Sequence, residues 1–239
     1  MSNLLDTWTG SDTAPFRNRV PSYLEETYWW AYIHPRAVSF FENQWVINLI
    51  LWGNFRKLRD AALDELGKQI HGSVLQVACV YGDFSVKLIE HLAKNATLEI
   101  VDVLSVQLKN VARKIQASAP VRVTQSDSTN LRFSDSAYEQ VILFFLLHEM
   151  PEPVREKTLG EAIRVLKPAG KLVIVDYHLP SVFHPLRYVF RPVLRYLEPF
   201  ALDLWRNPIT RWLPKDVPLA SISKITYFGG LYQKVVIAK

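Results

Sequence analysis

The 239-residue chain has a single cysteine, Cys79, which excludes an internal disulfide and a cysteine-rich zinc site. Nothing between Met1 and Asn18 sets an apolar block behind a basic stretch, so no signal peptide is expected. The longest purely apolar run, Val141 to Leu147, is far too short for a membrane span. There is no Walker-type phosphate loop, no H-E-x-x-H metalloprotease pattern and no G-x-S-x-G nucleophile elbow. No helix-turn-helix or finger pattern accompanies the basic residues, so no nucleic-acid partner is expected. Internal repeats and low-complexity tracts are missing as well. A cytoplasmic location is the resulting expectation, and none of these features bears on oligomeric state.

What is present suits a folded domain. With 49% hydrophobic and 21% charged residues, the chain can bury a substantial core and is expected to form one domain over residues 1–239. The formal charge of +5 is concentrated between Val182 and Lys215. There Arg187, Arg191, Arg195, Arg206, Arg211 and Lys215 oppose only Glu198 and Asp203, among many aromatic residues and prolines. Two readings fit this segment: a face resting on an anionic surface such as membrane lipid, or an ordinary solvated face of a helical pair.

Residues 1–70 read as a helical cap. Aromatic-rich helices are expected at Tyr28–His34, Phe40–Leu51 and Phe55–Leu66, the last with Phe55, Leu58, Ala62 and Leu66 on one face. Strand–helix alternation follows over 71–178. Strands are expected at Ser73–Ala78, Thr97–Val103, Val121–Gln125, Val141–Leu147 and Lys171–Asp176. The helices between them are Ser85–Lys94, Ser105–Ala117 and Val154–Leu166. Such alternation predicts an α/β fold with a doubly wound, mostly parallel sheet. A final pair of strands within 224–239, turning at Gly229-Gly230, brings the sheet to seven. Between these parts, 179–223 is a proline-broken helical insertion that reads either as a lid over an apolar substrate or as a structural cap.

In doubly wound sheets ligands bind beyond the carboxyl ends of the strands, and the candidate residues sit there. After the first strand come Gln76, Ala78, Cys79, Tyr81 and Gly82, where a strand–helix turn can approach a ligand. Cys79 reads better as a buried apolar residue than as a nucleophile. Asp102, followed by Val103, can accept two ribose hydroxyls. Asp127 and Ser128 can read an adenine amine or simply form an Asx turn. His148 and Glu149 end the fourth strand, and Asp176 and His178 the fifth. If those strands are neighbours, two carboxylates and two imidazoles converge, as a catalytic group, as ligands of Mn or Mg, or as substrate-orienting hydrogen-bonders. Tyr28, Trp29, Trp30, Tyr32 and His34 of the cap, with Tyr177 and Tyr188, are the candidate substrate and lid residues.

Taken together, Leu75-Gln76-Val77-Ala78-Cys79-Val80-Tyr81-Gly82-Asp83, Val101-Asp102-Val103, Gln125-Ser126-Asp127-Ser128 and Arg164-Val165-Leu166-Lys167-Pro168-Ala169-Gly170 resemble the class I S-adenosylmethionine-dependent methyltransferase superfamily. A closer resemblance, carried by Tyr28-Trp29-Trp30-Ala31-Tyr32-Ile33-His34-Pro35, Phe144-Phe145-Leu146-Leu147-His148-Glu149 and Tyr227-Phe228-Gly229-Gly230-Leu231-Tyr232, is to the rhodoquinone biosynthesis family, methyltransferase-like proteins of anaerobic respiration. That resemblance implies S-adenosyl-L-methionine as cofactor and ubiquinone as substrate. It further implies a manganese-dependent exchange of a ring methoxy group for an amino group donated by the cofactor. A long-tailed quinone in turn implies peripheral contact with the inner face of the cytoplasmic membrane. The loop departs from the methyltransferase pattern, with Gln76 in place of an acid and Ala78 and Val80 in place of glycines. Such crowding is compatible with a cofactor re-posed for amino transfer. Conventional methylation of a quinone or lipid, and a non-catalytic scaffold of quinone biosynthesis, remain as alternatives.

Overall fold

The computed structural model describes residues 20–29, 31 and 35–239. Its centre is one seven-stranded sheet. The strands are β1 (Ser73–Val77), β2 (Thr97–Asp102), β3 (Val121–Gln125), β4 (Tyr138–Phe144), β5 (Leu166–Tyr177), β6 (Ser221–Tyr227) and β7 (Tyr232–Ala238). The spatial order is β3-β2-β1-β4-β5-β7-β6. The five strands from β3 to β5 run parallel, and β7 enters antiparallel between β5 and β6. The expected mostly parallel, doubly wound α/β sheet is therefore what the chain forms, and the strand order reverses beside β1.

Both faces of the sheet are covered because its central strands are apolar on both sides. Ile142, Phe144, Val173 and Val175 face one cluster with α3 (Gln44–Ile50), α4 (Phe55–Leu66) and α5 (Phe84–Glu90). Val141, Leu143, Leu172 and Ile174 face the other with α7 (Glu152–Val165) and the 3-10 turn Ile209–Trp212. Helix α6 (Ser105–Lys114) joins the first cluster through Val111. Helix α4 forms as its spacing predicts: Phe55, Leu58, Ala62 and Leu66 are all buried, and Gly67 ends it at φ 114°. Each of these Phe and Leu side chains contributes about 1.5–3 kcal/mol of hydrophobic stabilisation.

Local chemistry moves several boundaries. The expected helix over Phe40–Leu51 is two helices, α2 (Pro35–Phe41) and α3. Between them the Asn43 amide donates to the carbonyls of Ser39 and Phe40, closing the first. Strand β4 stops at Phe144 because Phe145 takes φ 54°, and Leu147–Glu149 coils into a 3-10 turn. Strand β5 begins at Leu166, pairing with Tyr138 across a bulge before the ladder resumes at Lys171. The Gly229-Gly230 turn stands where expected, between antiparallel β6 and β7, although β6 starts at Ser221, inside the segment assigned to the insertion. The insertion holds α8 (Leu186–Leu197) and α9 (Ala201–Arg206). No helix among the described residues is long and apolar enough to cross a membrane.

Candidate functional site

A cleft opens where the strand order reverses, at the carboxyl ends of β1, β2 and β4. Ala78, Cys79, Asp102, Val103, Asp127, Ser128 and Glu149 line it, as do Ser126, Phe145, Leu146 and Met150. Helix α1 (Ser22–Thr27) covers one side through Tyr23 and Leu24.

At the β2 end, Asp102 accepts the backbone N–H of Cys79 through Oδ2 and that of Leu104 through Oδ1, each at 2.8 Å. Burial pushes its carboxyl up to about 6 despite these bonds. Beside it the Ser126 hydroxyl is buried with no partner among the described residues, so it is free to bond a ligand nitrogen or hydroxyl. Asp127 Oδ1 accepts the N–H and hydroxyl of Thr129, forming the Asx turn, and Ser128 pairs with Thr158 at 2.9 Å. Cys79 is an apolar wall, its thiol pushed well up by burial.

Three other loop residues serve the frame. Gln76 is fully buried; its amide donates to the Ala78 carbonyl and accepts from the Ser85 hydroxyl. Tyr81 donates to the Ala31 carbonyl and accepts from Gln107. Gly82, at φ 78°, backs onto Gln44, Ile47 and Phe55, where a Cβ would come within 2.9 Å of the Gln44 amide oxygen. Ala78 keeps a glycine-like backbone at φ 72°.

The β4 and β5 ends are adjacent, and they join His148 to Asp176. Asp176 is fully buried and accepts from His148 Nδ1 at 2.9 Å and from the backbone N–H groups of Leu147 (2.8 Å) and Tyr177 (2.7 Å). Burial lowers the His148 imidazole and the carboxylates around it raise it, Asp176 foremost, with a net result of about 9. Its Nε2 lies 3.8 Å from Glu149 and 3.9 Å from Glu198. The ring packs edge-on against Tyr177 at 4.9 Å. Burial and the nearby Glu198 carboxyl push the Tyr28 phenol up. Glu198, half-buried just past α8, was not among the residues the sequence singled out. Its one signal was its isolation as the only acid between residues 179 and 202.

His178 stands apart from this group. It follows the end of β5, donates from Nδ1 to the Gly230 carbonyl, and has Nε2 3.5 Å from Lys224; burial, then Lys224, lowers it. Trp29 is exposed, as is Tyr188, whose hydroxyl donates to the Val182 carbonyl. Trp30, Tyr32 and His34 lie outside the described residues.

Residues 42–210 match the ubiE/COQ5 methyltransferase family. The chain is 25% identical over 146 residues to the ubiquinone/menaquinone biosynthesis C-methyltransferase UbiE of Haemophilus ducreyi, covering 60% of this chain and 55% of that one. It is 31% identical over 163 residues to the demethylmenaquinone methyltransferase of Renibacterium salmoninarum, covering 67% and 65%. The chain thus spans between about half and two-thirds of the length of these curated relatives. In fold it is similar to an S-adenosylmethionine-dependent methyltransferase from Aquifex aeolicus (TM-score 0.54, 17% identity, 86% of this chain and 98% of that one). It is also similar to the N-methyltransferase NodS of Bradyrhizobium japonicum (TM-score 0.57, 12% identity, 77% and 95%).

These findings correct the expectation of a rhodoquinone-forming amino transfer with manganese. The relatives are methyltransferases by name. Among the described residues no group of three or more His, Cys, Asp or Glu side chains could hold a metal. The physical reason lies in the proposed set of four: His148 Nδ1 is spent on Asp176, and His178 is bonded to Gly230. A role in anaerobic respiration, which rested on the same resemblance, goes with it. With the family model covering most of its length, the chain belongs to the ubiE/COQ5 methyltransferase family, within the class I S-adenosylmethionine-dependent methyltransferase superfamily.

Proposed function

We propose that the protein is an S-adenosylmethionine-dependent carbon methyltransferase whose acceptor is a reduced, quinone-type ring. The observation that carries this reading is one continuous cleft. It holds Asp102 and the unpartnered Ser126 hydroxyl at one end, and Glu149 beside the His148–Asp176 pair at the other.

The residues fit the cofactor. Asp102 would hold the ribose hydroxyls, and Ser126, Asp127 and Ser128 the adenine edge; when bound, the cofactor supplies an electrophilic methyl group on a sulfonium. Phe145, Leu146 and Met150 give the acceptor ring an apolar wall. A hydroquinone carbon is nucleophilic once an adjacent hydroxyl has given its proton to solvent, and His148, fixed by Asp176 beside Glu149, lends positive charge to that end of the cleft. The ring carbon gains the methyl group and must then lose its hydrogen, and Glu149 is placed to take that proton. Helix α1 and the insertion meet over the site, with the Tyr23 and Tyr28 rings each 6.4 Å from Phe200, and together serve as its lid. An acceptor with an isoprenoid tail partitions into lipid, so the protein works at a membrane surface.

The test supplies purified protein with methyl-deuterated S-adenosylmethionine and a reduced demethylquinone, followed by mass spectrometry. A ring-methylated product carrying the label, with S-adenosylhomocysteine in equal amount, is expected. Cofactor binding without either product, or no cofactor binding at all, overturns the reading.

A further inference from the structure

Apart from Trp29, Ile222 and Ile225, the exposed large apolar side chains among the described residues all fall in two segments, 40–52 and 182–197. The two are neighbours: the rings of Trp52 and Phe190 lie 5.9 Å apart. Helix α8 turns Phe190 and Leu194 inward. At about 100° per residue this leaves Tyr188, Pro192 and Tyr196 on its outermost line. Val189 and Val193 flank that line on one side, Arg191 and Arg195 on the other. Phe183, just before the helix, is 94% exposed, and Tyr196 is 81% exposed. Contiguous apolar surface of this kind on a soluble monomer marks an interaction site.

The turn after α3 adds a strained element. Trp52 adopts φ 51°, a conformation bulky residues rarely take. The Asn54 amide holds it there by donating to the carbonyls of Leu51 and Trp52, and the Gly53 N–H donates to Asn48. The strain keeps a half-exposed indole at the rim of the patch.

Charge identifies the occupant. No Asp or Glu occurs in 179–197 or in 43–57, while Arg56, Lys57, Arg191 and Arg195 are exposed beside the patch. Arg187 is held inside the fold, donating to the Pro180 carbonyl at 2.7 Å. The first acid after α8, Glu198, is half-buried and faces His148. A second copy docked face to face would bring these cations together, whereas an anionic bilayer matches them. The geometry points to the α3–α8 face as a docking surface for anionic lipid, with aromatic side chains at headgroup depth and arginines on the phosphates. This deepens the reading of a lipid-tailed acceptor by naming the surface and lipid class, but its evidence involves neither cofactor nor acceptor. The surface ends one residue before Glu198, so the docked helix leads directly into the site.

The test floats purified full-length protein with vesicles of phosphatidylcholine alone or mixed with phosphatidylglycerol, with no cofactor or quinone present. Binding should require the anionic lipid and fall steeply with salt. Arg191→Gln with Arg195→Gln should weaken it about 30-fold. Phe183→Ser with Tyr196→Ser should weaken it at least about tenfold, with the circular-dichroism melt unchanged because both side chains are largely exposed. Failure of the folded wild type to bind, or equal binding by both variants, overturns the proposal. So does a concentration-dependent dimer abolished by Tyr196→Ser whose vesicle binding is unaffected. Because nothing is methylated in this assay, its failure is distinct from failure of the catalytic reading.

Discussion

Replacing His148 with glutamine should change how stability depends on pH, in a window set by one imidazole. In the folded protein that ring is buried and faces Asp176, Glu149 and Glu198, with Tyr177 and Tyr28 nearby. Its pKa stands at about 9 against an ordinary 6.5. A folded-state pKa above the unfolded one means that the folded protein binds the proton more tightly. The contribution is therefore full below pH 6.5, declines by about 1.4 kcal/mol per pH unit above it, and is gone once pH passes 9. Over the whole window the loss is about 3 kcal/mol. Asp102 titrates near 6, below this range. The assay is urea unfolding of wild type and His148→Gln between pH 6.5 and 9.5. The wild type should be favoured most at the acid end, with the gap narrowing by about 3 kcal/mol towards the alkaline end. A gap independent of pH would refute the assignment of a charged, carboxylate-held His148. Asp176→Asn should collapse the same window, since it removes the largest charge holding the proton, and should also destabilise at every pH by weakening the bonds to the Leu147 and Tyr177 N–H groups.

Three further outcomes follow from the site. Ala78→Gly should be neutral or stabilising by up to about 1 kcal/mol, because φ 72° strains alanine; a thermal-melt loss like that of an ordinary Ala→Gly would contradict it. Gly82→Ala should destabilise by about 2 kcal/mol, since the new Cβ meets Gln44 and Ile47 at 2.9–3.0 Å in a left-handed backbone; urea denaturation checks it. Asp102→Asn should weaken S-adenosylmethionine binding about tenfold by calorimetry. Wild-type affinity should itself fall as pH drops through about 6, where the carboxyl takes up its proton; pH-independent affinity would sink the ribose assignment.

The sheet was legible in the sequence because its strands leave a simple mark. Val141, Ile142 and Leu143 are apolar in succession, and only a strand buried on both faces needs that. The end of the cleft proposed for the cofactor was legible for a related reason: Asp102 ends β2, Asp127 and Ser128 lie just past β3, and strand ends are where such folds place ligands. The acceptor end was legible only in part. His148 and Asp176 were found because β4 and β5 are neighbours, whereas the grouping of His178 with them assumed that the strand's alternation continues past its end. Beyond Tyr177 no ladder fixes the side chain's direction, and the Gly230 carbonyl takes the ring instead. Glu198 reaches His148 only through the packing of the insertion on the sheet, which no local pattern records.

The loop from Leu75 to Asp83 shows why a departure from a motif need not change the chemistry. Its missing acid and glycines suggested a differently placed cofactor, and each is absorbed within the fold. Gln76 is turned into the protein, where Ser85 and the Ala78 carbonyl satisfy its amide. Val80 is buried with the cluster around α4 and α5. Ala78 accepts the strain of the glycine's left-handed backbone, so the path of the turn is kept. The Cys79 N–H still reaches Asp102 across it, so a crowded turn and an open one place the same carboxylate at the mouth of the cleft.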